Sequence, residues 1–340
     1  MRHLIDTTLD ELTDWLEQNG QPKYRAKQIR RWVFQGRAQS FDDMTDLPLA
    51  LREKLREKFQ LWTTKVVRRQ QSTDGTEKLL LELADQSRIE CVLIREAARR
   101  TICVSTQVGC AMGCVFCASG LDGVDRNLNT GEILEQLLFV QAQLPEDERL
   151  SHIVVMGMGE PLANLDALLP ALRVAADKEG LGISNRRITI STVGLPPAMD
   201  RLIDTGSPFH LAVSLHAHND HLRNELVPVN KNIGLDKILA AADRYFESSG
   251  RRLTFEYVLL AGINDGEQHA RGLVKLLRGR PALLNVIPFN PVSGLDFRTP
   301  SKASIDRFRS TLEAGGINIQ FRQRKGDEID AACGQLRRAT

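Results

Sequence analysis

Six short apolar runs between residues 101 and 289 set the tightest limit on what this chain can fold into. They read "TICVST", "HIVVMGM", "RITIST", "HLAVSLH", "LTFEYVLL" and "LLNVIPF", and helical stretches such as "TGEILEQLLFVQAQL" and "IGLDKILAAADRYFESS" lie between them. Strands with buried faces that alternate with helices argue for a parallel sheet covered by those helices. Six such units are too few for a closed eight-stranded barrel, so a partial (β/α)6 barrel or an open sheet is expected. Either architecture carries its ligands at the carboxyl ends of the strands. The polar punctuation falls there: the cysteines Cys110–Cys117 after the first strand, then "GEP", "STVG", "SLHAH" and "FNP".

The chain before residue 100 follows other rhythms. Leu9, Leu12, Trp15 and Leu16 share a helical face with Gly20 as its stop, and Ile29, Trp32 and Val33 repeat the pattern before Gly36. "LPLALREKLREKF" reads as a third helix. "TTKVVRRQ", "KLLLELA" and "RIECVLIR" then have the period of strands, with "TDGT" and "ADQS" as turns, which makes a small antiparallel meander. The expected organisation is a helical head over residues 1–61, a β extension over 62–99 and an α/β core over 100–340.

With 340 residues and a net charge of only +2, the whole-chain balance gives no strong nucleic-acid signal. The basic run "KYRAKQIRR" and a second cluster at Arg322, Arg324, Lys325, Arg337 and Arg338 are patches that either track phosphates or form solvated faces. No run approaches the roughly 18 apolar residues of a membrane span, and the N-terminus has no apolar signal core, so a cytoplasmic address is expected. In a reducing compartment, gathered thiols are metal ligands or reagents more often than disulfides.

Four of the six cysteines fall between Cys103 and Cys117. Cys110, Cys114 and Cys117 form C-x3-C-x2-C, a spacing that lets three thiolates converge on one centre. A closed zinc site wants four ligands, and the one further cysteine nearby, Cys103, belongs to the preceding strand. A [4Fe–4S] cluster held by three cysteines keeps one iron open, and the spacing favours it. Cys91 shares a strand face with Ile89 and Leu93 and reads as core, whereas Glu90 points the other way.

That motif after the first strand of a partial barrel resembles the radical S-adenosylmethionine (SAM) superfamily. "CVSTQVGCAMGCVFCASG", "MGMGEPLAN", "ITISTVG", "SLHA", "FEYVLLAGIND", "PFNP" and "RKGDEIDAACGQL", with "YRAKQIRRWVFQG" in the head, resemble its RlmN/Cfr branch of RNA adenine methyltransferases over nearly the whole chain. The resemblance implies a [4Fe–4S] cluster on Cys110, Cys114 and Cys117, with SAM held by Gly159, Glu160, Ser191, Ser214, His216 and Asn290. It makes Cys333 the thiol that becomes S-methylcysteine, Cys103 its partner in a transient disulfide, and Glu90 the acceptor of the adenine ring proton. The implied substrate is 23S rRNA, with tRNA as a second substrate in some members, and a reducing electron donor and a monomeric state are expected. The helical head favours C2 of adenine over the C8 chemistry of the Cfr side. A zinc-stabilised RNA-binding protein without catalysis is the alternative of another class. Two departures stand out: Asp122 and Asp125 where neutral or basic residues are expected, and Glu328 where the family usually has Asp.

Overall fold

A computed structural model of the chain describes residues 1–322 and 325–337. Arg324 and Arg338, from the C-terminal basic cluster, lie outside the described residues. The head comprises β1 (Arg2–His3), α1 (Leu9–Gln18), α2 (Tyr24–Phe34), α3 (Leu49–Lys58) and β2 (Phe59–Gln60), with β1 and β2 paired in parallel. Helix α1 starts where Thr8 and Glu11 cap each other: the Thr8 hydroxyl accepts from the Glu11 N–H (3.2 Å) and the Glu11 carboxylate from the Thr8 N–H (2.9 Å). Leu12, Leu16, Ile29, Val33, Leu51 and Leu55 form the head's buried faces. Gly20 is left-handed (φ 71°) as the sequence suggests. After α2, however, the left-handed residue is Arg37 (φ 53°) rather than Gly36. Gly36 answers a different need, since a Cβ there would lie 2.8 Å from the Trp32 ring.

Much of the basic run is engaged in ion pairs and docking. Arg31 pairs with Asp46, and Lys27 reaches Glu179 on the core at 2.9 Å. Arg37 donates to the carbonyls of Leu144 (2.5 Å) and Glu148 (2.6 Å). Fully buried Glu135 accepts from the N–H of Thr63 at 2.6 Å and from the Thr64 hydroxyl, and His3 Nε2 lies 3.1 Å away. These contacts seat the head on the core.

The chain continues through β3 (Lys65–Gln71), β4 (Glu77–Glu82), β5 (Arg88–Glu96), β6 (Arg99–Cys103), a small ribbon of β7 (Gln107–Gly109) and β8 (Val124–Asn127), and α4 (Thr130–Ala142). Then come β9 (His152–Val155), α5 (Leu165–Ala176), β10 (Ile188–Thr192), α6 (Pro196–Asp204), β11 (His210–Ser214), α7 (Asp220–Leu226) and α8 (Leu235–Ser249). The last elements are β12 (Leu253–Leu259), α9 (Glu267–Leu277), β13 (Ala282–Pro288), α10 (Lys302–Ala314) and β14 (Ile319–Phe321). Ten strands make one sheet in the order β14-β13-β12-β11-β10-β9-β6-β5-β4-β3. It is parallel from β6 to β14, so the six sequence-read strands gain a seventh, β14.

The meander is not a separate connection, because β5 pairs antiparallel with β6 and the two regions share one sheet. Leu79, Leu81, Ile89, Cys91 and Leu93 enter the main core on one face. Lys78, Leu80, Glu90 and Val92 alternate with them and so lie on the opposite face. A smaller apolar cluster of Phe116, Val193, Val258, Ile287 and Phe289 sits over the strand ends. Arg322, just past β14, brings Nη1 to 3.9 Å from Met156 Sδ just past β9. Residues from both flanks of the parallel strands thus meet one cavity, and residues 331–334 with Leu336 line its wall. Among the described residues no helix is long and apolar enough to cross a membrane.

Candidate active site

The cysteine loop leaves β7 through left-handed Gly109 (φ 81°) and turns again at Gly113 (φ 65°). The N–H of Cys110 binds the Gly123 carbonyl (2.8 Å), and that of Val115 binds the Leu226 carbonyl (3.1 Å), which fixes the loop at both sides. Cys110, Cys114 and Cys117 all open onto one cavity at the strand ends. Gly159, Glu160, Ser191, Ser214, His216 and Asn290 line the same cavity. Burial pushes the Cys110 thiol up to about 11 and the Cys114 and Cys117 thiols upward as well. A metal binding there replaces protons, as thiolate ligation requires.

The residues fit the cofactors that the sequence implies. Among the described residues no three His, Cys, Asp or Glu side chains close on a single metal ion. The three thiols share the wall of one cavity. The buried Asn290 Oδ1 has no hydrogen-bond partner, while its Nδ2 donates to the Cys333 carbonyl (3.0 Å). That orphaned acceptor faces a cavity whose walls are Phe116, Val193, Val258 and Phe289, a setting suited to a nucleoside. Gly159 is left-handed (φ 101°), and a Cβ on it would come within 2.7 Å of Gln107.

Each polar side chain is oriented by a neighbour. Glu160 accepts the N–H groups of Leu162 (3.0 Å) and Val193 (2.9 Å), so it braces the loop after β9 against that after β10. Burial raises its carboxyl above the usual range. His216, left-handed at φ 59°, accepts the Val258 N–H on Nδ1 (3.0 Å). Its imidazole is pushed down to about 3 by burial and, to a smaller degree, by Arg223, so it works as a neutral ring.

Sequence reasoning missed Arg223, which is fully buried. Its guanidinium donates to the carbonyls of Leu215 (3.0 Å), Ser214 (2.8 Å) and Val193 (2.5 Å) and to the Asn230 side chain. It therefore sets the strand ends from which Ser214 and His216 project. Glu256 was also missed. It lines the cavity, accepts from Asn285 Nδ2 (2.7 Å), and is pushed up to about 7 by burial against an opposing pull from Arg322.

A second cavity, of about 660 Å³, shares Cys117, Met156, Gly157, Asn290 and Cys333 with the first. Cys103, Cys333, Arg322 and Lys325 line it. Cys103 ends β6 and Cys333 comes from the far end of the chain, yet each opens onto the same space. Solvent reaches Cys333, but surrounding protein pushes its thiol up to about 11 and that of Cys103 up to about 12, with Arg322 pulling both down. All six cysteines are free thiols. Cys91 is fully buried in the core.

Glu90 sits beside this space rather than in its wall. It is buried; Oε1 lies 2.9 Å from Lys78 Nζ and Oε2 accepts the Arg337 N–H at 3.0 Å. Lys78 is another residue sequence reasoning did not single out. Glu328 accepts from the Thr73 hydroxyl (2.8 Å) and the Thr73 N–H (3.1 Å), so its extra methylene reaches the turn between β3 and β4. Asp122 and Asp125 are exposed beside β8.

A partial parallel barrel with three loop cysteines on an apolar-walled cavity at its carboxyl edge defines a radical SAM protein. The model of the Radical SAM superfamily matches residues 104–273, and that of the ribosomal RNA large subunit methyltransferase N-terminal domain matches residues 2–61. A Rhodopirellula baltica protein named "Probable dual-specificity RNA methyltransferase RlmN" is 66% identical over 99% of this chain and 91% of its own. A Carboxydothermus hydrogenoformans protein of the same name is 44% identical over 99% of this chain and 98% of its own. The crystal structure of a radical SAM methyltransferase from Sphaerobacter thermophilus superposes with a TM-score of 0.96 at 44% identity, covering 99% of both chains. The chain belongs to the RlmN family of radical SAM RNA methyltransferases. It is an enzyme that works with a [4Fe–4S] cluster and SAM, and the non-catalytic zinc reading falls.

Proposed function

We propose that the protein methylates C2 of an adenine in 23S rRNA and of an adenine in tRNA, through an S-methyl group carried on Cys333. The observation that carries this reading is the placement of Cys103 and Cys333, from opposite ends of the chain, in one cavity that joins the cofactor cavity. A bare adenine ring carbon is too poor a nucleophile to take an electrophilic methyl group directly, whereas a thiolate can. When bound, the cluster and SAM supply that methyl group and the radical chemistry that activates it. Cys110, Cys114 and Cys117 are the cluster's ligands in this reading. Gly159, Glu160, Ser191, Ser214, His216 and Asn290 hold SAM, with the free Asn290 Oδ1 as an acceptor for it.

The remaining work belongs to the chain's own groups. Cys333 receives the methyl and later carries the base through a carbon–sulfur bond. Glu90 takes the ring proton, and the odd electron left by radical addition would return to the oxidised cluster, which restores the aromatic ring as a closed-shell thioether. The Cys103 sulfur then attacks the Cys333 sulfur; the carbon–sulfur pair leaves with the carbon, which is protonated to the methyl group of the product. The resulting disulfide is reduced by exchange with external thiols, which suits a cytoplasmic setting. The electron for the radical step comes from an external donor. The head and the exposed cations of β3 are the surface we assign to RNA.

Nucleosides from rRNA and from tRNA, each incubated with reconstituted, reduced enzyme and methyl-labelled SAM, test the proposal by mass spectrometry. Labelled 2-methyladenosine from both RNAs is expected. 8-Methyladenosine would refute the C2 assignment, and unlabelled tRNA would remove the second substrate.

A further inference from the structure

The two oxygens of Glu90 are held by groups of different strength. Oε1 faces the Lys78 ammonium at 2.9 Å, and Oε2 takes a backbone N–H, that of Arg337, at 3.0 Å. Lys78 is 6% exposed and Glu90 5%, so water does little to loosen the ion pair. The pair is built into the sheet: Lys78 opposes Val92, Glu90 opposes Leu80, and Val92 in turn opposes Cys103. Lys78, Glu90 and Cys103 therefore occupy adjoining rows of the same sheet face. Lys78 Nζ also donates to the Asp330 carbonyl (3.1 Å), three residues before Cys333.

We propose that Lys78 is a positioning residue for the transfer reaction: it fixes Oε1 of Glu90, so that Oε2 is the oxygen that accepts the adenine ring proton once the Arg337 N–H gives way. The inference rests on the reading of Glu90 as the base. An ammonium has three donors and no acceptor, so it holds the oxygen it faces without competing for the substrate proton. The Glu90 carboxylate strengthens both contacts, but only the one to Lys78 adds the attraction of two opposite full charges held away from water. Both groups of the Oε1 contact, Lys78 and Glu90, are charged and rooted on adjacent strands, whereas the partner of Oε2 is a neutral amide. The Arg337 contact is the one that yields. In the step itself the C2 proton passes to Oε2 and the bonding pair stays with the ring. Leaving Glu90 buried without its cation would release it from the aim the sheet gives it.

The test uses the full-length, reconstituted enzyme with RNA. Lys78→Met removes the cation, Lys78→Gln keeps a neutral donor for Asp330, Lys78→Arg keeps the charge, and Glu90→Gln runs in parallel. Two quantities are read: methylation of Cys333, which does not use Glu90, and resolution of the covalent RNA–protein adduct, which does. A misplaced catalytic group costs on the order of 10²-fold. Lys78→Gln is expected to methylate Cys333 at close to the wild-type rate and to slow adduct resolution by about that factor, whereas Lys78→Met, which also frees the Asp330 carbonyl, is expected to slow both steps and resolution the more. Lys78→Arg is expected to restore most of the rate. Equal loss in both steps would make Lys78 merely structural and overturn the proposal, as would unaltered resolution in both neutral variants. Should Lys78→Met fail to fold, Lys78→Gln against Lys78→Arg decides, and equal behaviour of these two overturns it. If Glu90→Gln resolves the adduct normally, the base assignment itself falls. If Glu90→Gln blocks resolution while the neutral Lys78 variants do not, the Lys78 role alone is lost.

Discussion

Arg223→Met isolates the scaffold behind the cofactor cavity. Methionine follows the aliphatic stem of arginine and offers no donor, so the substitution strands the carbonyls of Val193, Ser214 and Leu215 and the Asn230 side-chain oxygen. Each stranded buried acceptor costs about 1–3 kcal/mol, so the four set a gross loss of about 4–12 kcal/mol. Against it stands the relief of no longer burying a cation, a burden visible in the guanidinium's fall to about 10. The stranded acceptors are neutral and the cation's own desolvation is relieved, so a net loss of about 3–5 kcal/mol is expected. Measured against a total stability of roughly 5–15 kcal/mol, this is a large share. Urea unfolding of the cluster-free chain, followed by circular dichroism, reads it directly. Because the same carbonyls lead into Ser214 and His216, SAM affinity is expected to fall with stability, and Arg223→Lys, with one donor group retained, to lie between. A Met variant within about 1 kcal/mol of wild type would mean that the carbonyls find other partners and that the arginine does not set these loops.

Three further outcomes follow from the same geometry. Cys114→Ala should lose iron and sulfide after anaerobic reconstitution, while Cys103→Ala and Cys333→Ala retain both; iron loss in either of the latter would place it among the cluster's ligands. Gly159→Ala should weaken SAM binding at least tenfold by calorimetry, roughly the effect of 1–3 kcal/mol of backbone strain, because its φ of 101° and the 2.7 Å approach to Gln107 leave no room for a Cβ. Glu256 ionises near 7 in the fold against an ordinary value near 4.5, so the unfolded chain releases its proton first and folding loses stability as pH rises between those values. Relative to wild type, cluster-free Glu256→Gln should therefore gain about 3 kcal/mol between pH 4.5 and pH 7.5, and a difference independent of pH would refute the assignment.

The parts of this fold that are local in sequence are legible before any coordinates. The apolar runs of β6 and β9–β13 mark their own lengths, and the capping residues of α1 mark its start. Strand β14 escapes notice because Ile319–Phe321 is too short for a period to show. Alternation along "RIECVLIR" puts Cys91 and Glu90 on opposite faces, as the fold has them, but it cannot say what covers Glu90. The cover is Lys78 and the backbone of Arg337, and the second of these lies 247 residues away. The cations of α2 fail in the reverse direction. A run of charges looks free in sequence, whereas Arg31 and Lys27 are paired with Asp46 and Glu179. Arg223 and Glu256 gave no signal, since an isolated charge in an amphipathic stretch is ordinarily solvated.

The antiparallel extension also explains how a cysteine near the end of the chain is kept at the cavity. The C-terminal segment is gripped at two places on either side of Asp330 and Cys333. On the extension side, the Gly326 N–H donates to Asp74 Oδ2 (3.0 Å), Glu328 reaches Thr73, and Lys78 holds the Asp330 carbonyl. On the barrel side, Ala118 N–H binds the Gly334 carbonyl (2.8 Å), Ser119 Oγ the Leu336 carbonyl (2.5 Å), and Gln335 Nε2 the Pro291 carbonyl (2.7 Å). The segment has no strand or α-helix of its own in its described part, so its shape is set by these borrowed contacts. A thiol in the role proposed for Cys333, between a methyl donor and Cys103, needs such a mounting: anchored at both ends, with only short turns between. Because β3 and β4 belong to the same sheet as Cys103, the anchor and the second thiol move as one body. The extension thereby fixes the distance that Cys333 must cover, and this is a physical reason for its fusion to the barrel sheet.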